Sequence, residues 1–120
     1  MIQKKLLLPE RVRKIEGSFA FIEHRFLRGG YWKSLRPHER LMYVLLVLVS
    51  DRHGLSYYSY DKLCSLLDFS ADDYVEARDG LIEHDLLAFD GTLFQVLSLP
   101  SRPASRAAAE SSSRDSWRWP

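Results

Sequence analysis

The sequence predicts a small, mostly helical α+β domain with a three-helix core, a short strand and a C-terminal β-hairpin. Three observations lead to this class: a long apolar run that begins at Leu41, serines at helix-cap positions 59 and 70, and an Asp-Gly pair at 90–91 between two apolar runs. The chain has 120 residues, of which 46% are hydrophobic, so it is long enough to bury one core of this kind.

The apolar run from Leu41 to Val49 predicts a buried helix. Pro37 suits the first helical position and Glu39 the first turn, so the helix is expected to start there and to end at His53-Gly54. Because the run is apolar on every face, it must be covered by the N-terminal segment, by a second copy in a homodimer, or by both. Nine apolar residues are far fewer than the roughly 20 that cross a membrane, so no membrane partner is expected.

Shorter elements are predicted on both sides of this helix. Before it, residues 19–22 form a candidate strand, and residues 24–27 form a helical turn that ends at Gly29-Gly30. After it, residues 55–58 form a second candidate strand. The predicted organisation is a basic arm at 1–16, a domain at 17–100, and a disordered tail at 101–120 that is rich in Ser, Ala and Arg and includes Trp117 and Trp119.

The first of two closely spaced helices is predicted over residues 60–67. Ser59 is a favourable N-cap, and Leu63, Leu66 and Leu67 recur at helical spacing, so they are expected to face the core. Asp68 follows, and aspartate tolerates the left-handed conformation that such turns often need.

The second helix is predicted from Ser70 to about residue 84. Ser70 is its cap and Asp73 stands three residues later, as in a capping box. Leu81 and, one position on, Ile82 are expected to be buried. The pair Asp90-Gly91 then predicts a two-residue hairpin turn in which both residues adopt positive φ.

The total charge of +1 hides a strong asymmetry along the chain. Residues 1–40 carry ten Lys or Arg against four Glu, a balance of +6, whereas residues 41–100 carry three against ten acids, a balance of −7. The last twenty residues add a balance of +2. The basic and acidic halves should therefore attract different partners.

The order helix, short strand, helix, tight turn, helix and hairpin resembles that of a winged helix-turn-helix domain. Residues 59–87 carry this likeness, and their ending is similar to the one before the wing in many bacterial regulators: Leu81-Ile82-Glu83-His84-Asp85-Leu86-Leu87. Upstream, residues 26–35 and the helix start Pro37-His38-Glu39 resemble the beginning of winged-helix domains in plasmid replication initiators. The match covers about residues 19–99 and implies a bacterial DNA-binding protein of transcription regulation or of a plasmid or mobile element.

The resemblance implies that the start of the second helix faces the DNA major groove. The corresponding helix-turn-helix positions are Ser70, Asp72, Asp73, Glu76 and Arg78. Phosphates repel the three carboxylates among them, and only cytosine offers a donor that Asp or Glu accepts from. Neither Lys nor Arg occurs from Asp79 to Ser101, and the hairpin tip is Asp90. The sequence therefore argues against the usual docking mode.

Two functions remain open. In the first, the protein binds double-stranded DNA through the cations of its N-terminal half, which follow grooves or phosphates without strict sequence choice. The candidate residues are Lys4, Lys5, Arg11, Arg13 and Lys14 in the arm, and Arg25, Arg28, Lys33, Arg36 and Arg40 as a folded patch. In the second, the domain is a protein-interaction adaptor whose acidic helix at 71–84 receives a basic partner surface.

A catalytic centre is not expected. The four histidines lack metal-ligand spacing, and the sequence shows neither a Gly-rich phosphate loop nor a nucleophile with a base and an orienting group. We therefore expect a protein that is not an enzyme and that takes no metal or other cofactor. The single cysteine, Cys64, cannot form an internal disulfide and favours a cytoplasmic location.

Overall fold

The computed structural model describes residues 3–104. Within these residues the chain forms five α-helices and a three-stranded antiparallel sheet, which confirms the α+β class. The elements are α1 (His24–Arg28), α2 (Tyr31–Ser34), α3 (Pro37–Val49), β1 (Leu55–Ser56), α4 (Tyr60–Leu67), α5 (Ala71–Glu83), β2 (Leu87–Phe89) and β3 (Phe94–Val96). A short 3-10 turn, Pro9–Arg11, precedes them. The layout is compatible with that of a winged helix.

The start of α3 lies where the sequence predicts it. Pro37 is the first helical residue, and the Glu39 carboxylate accepts the Arg36 backbone N–H at 2.8 Å. The end of α3 was predicted wrongly, because the helix stops at Val49 and not at His53-Gly54. Asp51 explains the difference. Its carboxylate accepts the N–H groups of His53 and Leu55 at 2.8 and 3.0 Å, and these bonds stabilise a tight turn, so the helix does not continue.

The apolar run of α3 is only partly covered. Met42 and Leu46 are fully buried in the core, and α3 packs mainly against α5. Leu41 and Leu48, by contrast, are 53% and 64% exposed, and Leu45 is half-buried between them on the same face. The expectation of cover on every side therefore fails within residues 3–104 at Leu41 and Leu48, whereas half-buried Leu45 packs against the core.

The segment before α3 differs from the expectation in two ways. Helix α1 ends before Gly29-Gly30 as predicted, but the chain then forms α2, a turn of helix that the sequence did not indicate. Residues 19–22 were wrongly predicted to form a strand. Phe19 and Phe21 are 67% and 72% exposed, and no strand in the described chain lies beside them to supply ladder hydrogen bonds.

Helix α4 begins and ends as predicted. The Ser59 hydroxyl accepts the Lys62 N–H at 3.2 Å, and Asp68 adopts the left-handed conformation with a φ of 57°. Leu63 is fully buried, but Leu66 was wrongly placed toward the core, because it is 53% exposed. A helix this short contacts its neighbours along one narrow stripe.

Helix α5 has the predicted reciprocal cap. The Ser70 hydroxyl accepts the Asp73 N–H and the Asp73 carboxylate accepts the Ser70 N–H, both at 3.1 Å. The helix ends at Glu83 with His84 as its C-cap. Leu81 is buried as expected, whereas Ile82 remains 40% exposed.

The hairpin is present, but its turn differs from the prediction. Strand β3 lies between β1 and β2, with Leu55 opposite Gln95 and Phe89 opposite Phe94. Four residues, 90–93, connect β2 to β3, and Gly91 is the one member of the Asp-Gly pair with positive φ, at 101°. Asp90 acts through its side chain, which accepts the N–H groups of residues 92 and 93 at 2.9 and 2.7 Å.

The folded part continues beyond residue 100. Pro103 and Ala104 are half-buried, although the tail was expected to begin at 101. Trp117 and Trp119 lie outside the described residues. No helix in residues 3–104 has the length and apolar character needed to cross a membrane.

Candidate nucleic-acid interface

The basic arm, defined as residues 1–16, presents its cations to solvent. Side chains from residue 3 to residue 19 are all exposed, including the five arm cations Lys4, Lys5, Arg11, Arg13 and Lys14. The 3-10 turn is closed by a hydrogen bond from the Arg11 N–H to the Leu8 carbonyl at 2.9 Å, and Val12 follows in extended conformation. An arm of this shape leaves its charged groups accessible to a polyanion.

Apolar side chains of the arm are exposed as well. Leu6, Leu7 and Leu8 are 65%, 92% and 58% exposed, and Val12 and Ile15 are 55% and 63% exposed. Half-buried Ala20 is the residue that first packs against the core after the arm. Sequence reasoning found the arm's charges but gave no role to these side chains, although their number is unusual for a purely solvated segment.

Three further cations lie on or beside the helices that follow. Arg28 at the end of α1 and Lys33 in α2 are exposed, and Arg36, the residue before α3, is half-buried. Helices α1 and α2 contact each other directly, which brings Arg28 and Lys33 to one corner of the fold. Together with the five cations of the arm, Arg28, Lys33 and Arg36 make up eight of the ten candidate cations.

Arg25 was grouped with the phosphate-binding candidates, but its guanidinium is used inside the molecule. It bonds to the Glu23 carboxylate at 3.0 Å and to the Tyr31 hydroxyl at 2.9 Å. It also donates to the backbone carbonyls of Leu99 and Pro100, at 3.5 and 3.2 Å. Tyr31 donates to the same Pro100 carbonyl. Arg25 therefore clasps the chain after the hairpin to helices α1 and α2.

Arg40 also departs from the predicted folded patch, since it is only 6% exposed. Its Nε donates to the Trp32 carbonyl at 2.9 Å, and its guanidinium lies 5.0 Å from the centre of the Trp32 ring. Burial lowers the pKa of Arg40 from its usual value. The sequence did not indicate that Arg40 is buried, because its burial depends on which side of α3 faces α2. That orientation is determined by tertiary packing.

Two of the helix-turn-helix positions form the cap of α5. The hydrogen bond from the Ser70 N–H holds the pKa of the Asp73 carboxyl below its ordinary value. The other Asp73 oxygen lies 3.6 Å from Nδ1 of His38, at the start of α3. Ser70 and Asp73 thus stabilise the helix start and its contact with α3.

A continuous acidic face runs along the outside of α5. Asp72, Glu76, Asp79 and Glu83 recur every three or four residues, and all are exposed. Four carboxylates in this position would repel the phosphates on either side of a DNA groove. Alternating with them are two apolar side chains, Val75 and Ile82, which are 41% and 40% exposed.

Arg78, the one cation among the helix-turn-helix positions, is held against the domain. Its guanidinium pairs with Asp79 at 3.1 Å and lies over the rings of Tyr74 and Phe89, at 5.4 and 5.5 Å. The hairpin offers no replacement, because its tip is Asp90 and no Lys or Arg occurs from residue 79 to residue 101. The outer face of α5 and the tip of the hairpin are therefore acidic in this protein.

A cavity of about 220 Å³ lies between the start of α3 and the middle of α5. Its lining includes Arg36, His38, Glu39 and Glu76, a mixture of both signs of charge. The mixture offers no preference for an anion or a cation, so we assign it no ligand.

Comparisons with protein-family models, curated proteins and solved structures found no match to this chain.

Proposed function

We propose that this chain is a cytoplasmic winged-helix protein that binds double-stranded DNA through its N-terminal half, as a regulator-like or replication-initiator-like factor of a plasmid or mobile element. The observation that carries the proposal is that all five cations of the arm are exposed, ahead of a helical core with a β-hairpin. The winged-helix assignment rests on the order α3, β1, α4, α5, β2, β3.

The proposed contact surface is the arm together with the corner formed by Arg28, Lys33 and Arg36. Lysine and arginine on an extended arm follow phosphates or enter the minor groove, so they give affinity with little sequence choice. Arg25 and Arg40 are left out of this surface, because both guanidinium groups bond within the fold. The acidic face of α5 should point away from the duplex.

A salt titration of binding to a random-sequence duplex tests this proposal. The logarithm of the affinity should fall linearly with the logarithm of salt, with a slope of about 0.9 per phosphate contact. The variant with Arg11→Ala, Arg13→Ala and Lys14→Ala should bind more weakly and show a smaller slope. No binding of the wild-type protein at low salt would overturn the proposal.

The chain offers a control with a matched loss of charge. Arg52→Ala with Lys62→Ala removes two exposed cations outside the proposed surface, and Arg11→Ala with Lys14→Ala removes two from the arm. The first variant should keep nearly the full affinity and slope. Equal effects from these two double variants would mean that net charge, and not the arm, determines binding.

A second candidate function is that of an adaptor whose acidic α5 receives a basic protein surface. The observation in its favour is that the acids of α5 alternate with exposed Val75 and Ile82, since protein interfaces commonly combine apolar and charged groups. Charge reversal by Asp72→Lys and Glu76→Lys distinguishes the two functions. It should abolish adaptor binding, and it should leave DNA binding unchanged or strengthen it.

A further inference from the structure

The outer face of α5 and the basic arm are complementary in both charge and apolar character. The face carries Asp72 and Glu76 beside exposed Val75 and Ile82. The arm carries cations beside exposed Val12 and Ile15. The two surfaces therefore carry opposite charges, and each also has apolar side chains that are exposed to solvent.

The spacing of these groups also agrees. Val12 has a φ of −62° and a ψ of 131°, close to the polyproline II conformation, which repeats every three residues at about 3.1 Å per residue. An arm that keeps this conformation through Ile15 when it docks places Val12 and Ile15 on one side, about 9 Å apart. Val75 and Ile82 are seven residues apart on α5, which is about 10 Å along a helix.

The charged groups of the arm stand on both sides of Val12 along the chain. Arg11 ends the 3-10 turn, and Arg13 and Lys14 follow Val12; all three are exposed. On α5, the exposed carboxylates of Asp72 and Glu76 lie one helical turn apart, about 6 Å along the axis. The segment from Arg11 to Ile15 therefore brings two apolar and three basic groups to a face with two apolar and two acidic groups.

The arm of the same chain does not occupy this face. All side chains from residue 3 to residue 19 are exposed, and so are Asp72, Val75, Glu76 and Ile82. A second copy brings the same arm and the same face, so two copies can exchange arms around a twofold axis and fill both faces.

We propose that this protein forms an arm-exchanged homodimer, in which the arm of each copy docks on the outer face of α5 in the other copy. The uncovered stripe of α3 is the competing homodimer contact. It consists of Leu41, Leu45 and Leu48, and three partly exposed leucines supply much less than the roughly 800 Å² per partner that stable interfaces bury.

A charge-swap experiment tests the arm exchange in the full-length chain. One variant carries Arg11→Glu and Lys14→Glu, and the other carries Asp72→Lys and Glu76→Lys. Sedimentation at low salt should show a wild-type dimer, and each variant alone should self-associate at least about tenfold more weakly. An equimolar mixture should recover the dimer, because every arm then meets a face of opposite charge.

Two controls match the reversed positions. Arg28→Glu with Lys33→Glu reverses two exposed cations outside the arm, and Asp61→Lys reverses an exposed acid in the first turn of α4, as Asp72→Lys does in α5. Both controls should remain dimeric. The neutral variant Asp72→Asn with Glu76→Gln should lose part of the dimer. It provides the test if the lysine variant fails to fold.

Three results would overturn the proposal. The first is a wild-type protein that stays monomeric at every concentration. The second is a mixture of folded variants that fails to recover the dimer. The third is a dimer that survives both charge reversals but is lost with Leu41→Ser and Leu48→Ser, which would place the contact on α3.

DNA and the second copy would compete for the same arm. The lysine variant of α5 separates the two proposals, because it removes the docking face but keeps the arm for phosphates. Retained DNA binding without a dimer supports both proposals. A dimer with no DNA binding at any salt concentration overturns the DNA proposal alone.

Discussion

At the scale of single residues, Gly80 on α5 leaves room for the Glu39 side chain of α3. A Cβ atom at this position would lie 1.8 Å from Oε2 of Glu39. Glu39 is 3% exposed, and its Oε1 accepts the Arg36 N–H at the start of α3. The missing side chain of Gly80 therefore leaves room for the buried carboxylate that caps α3.

The variant Gly80→Ala should lower the free energy of unfolding by about 1–3 kcal/mol, because an inserted methyl group overpacks the contact between the helices. This loss should appear although alanine favours a helix over glycine by about 1 kcal/mol. Urea denaturation monitored by circular dichroism measures it.

The double variant Glu39→Ala with Gly80→Ala is the control. Its free energy of unfolding should fall by less than the sum of the decreases in the two single variants, because the methyl group then occupies the space that the carboxylate has left. A Gly80→Ala protein as stable as wild type would contradict the close contact.

At the scale of elements, aspartate side chains stabilise the turns and the helix start that connect the fold. Asp51 accepts two backbone N–H groups after α3, Asp73 accepts one at the start of α5, and Asp90 accepts two in the hairpin loop. The hydrogen bonds from the N–H groups of Leu55, Ser70 and Leu93 are the main reason that the pKa values of these three carboxyls lie below the ordinary aspartate value.

These lowered pKa values predict a loss of stability in acid. The charged carboxylates favour the folded state, so their contribution is fully present above the ordinary aspartate pKa of 3.8. It is lost as the pH falls through the lower folded values. Urea midpoints measured from pH 7 to pH 2 should therefore show a decline that begins near pH 4 and continues below it.

The variant Asp51→Asn, Asp73→Asn and Asp90→Asn keeps side-chain acceptors but removes the charges. Its urea midpoint should be lower than that of wild type at pH 7 and should change less between pH 4 and pH 2. An equally steep decline in this variant would show that other groups cause the acid sensitivity.

The elements that the sequence predicted correctly are those with local causes. Ser59, Ser70 and Asp73 form their cap hydrogen bonds within three residues, so helix starts could be inferred from neighbours in the chain. The exposure of Phe19 and Leu66 could not be inferred in this way, because it depends on which other elements of the fold lie beside these residues.

The candidate site was predictable to a similar extent. The cations of the arm are exposed because no apolar periodicity ties the arm to the core, and this was visible in the sequence. Arg25 and Arg40 differ because their partners, the Pro100 and Trp32 carbonyls, are brought to them by the tertiary fold. Spacing alone does not reveal such contacts.

At the scale of the whole molecule, the two ends of the described chain are held very differently. From residue 3, where the described chain begins, the arm has no buried side chain, whereas the segment after β3 is bound to α1 and α2 through Arg25 and Tyr31. Pro103 also approaches the α1–α2 corner, since its Cγ would lie 3.4 Å from a Cβ atom on Gly30.

Truncations should reflect this difference. Removal of residues 1–16 should leave the melting temperature of a dilute sample nearly unchanged. A chain that ends at Ser98 loses the acceptors of Arg25 and Tyr31, and each lost hydrogen bond costs about 1 kcal/mol, so its melting temperature should fall by several degrees.

A chain that ends at Ala104 is the matched control, because it retains both carbonyls and the half-buried Pro103. Calorimetry on the three truncated proteins measures the effect. Equal melting temperatures for the chains ending at Ser98 and Ala104 would show that the hydrogen bonds of Arg25 and Tyr31 to this segment contribute nothing to stability.

The guanidinium of Arg25 reaches the Pro100 carbonyl at 3.2 Å, so the backbone at residue 25 and the backbone at residue 100 lie within one arginine side chain of each other. The core therefore begins and ends on the same side. A unit whose ends lie close together can be inserted into a surface loop of a host protein, or closed by a short linker and reopened elsewhere, without stretching either partner. The core is therefore suited to domain insertion and to circular permutation.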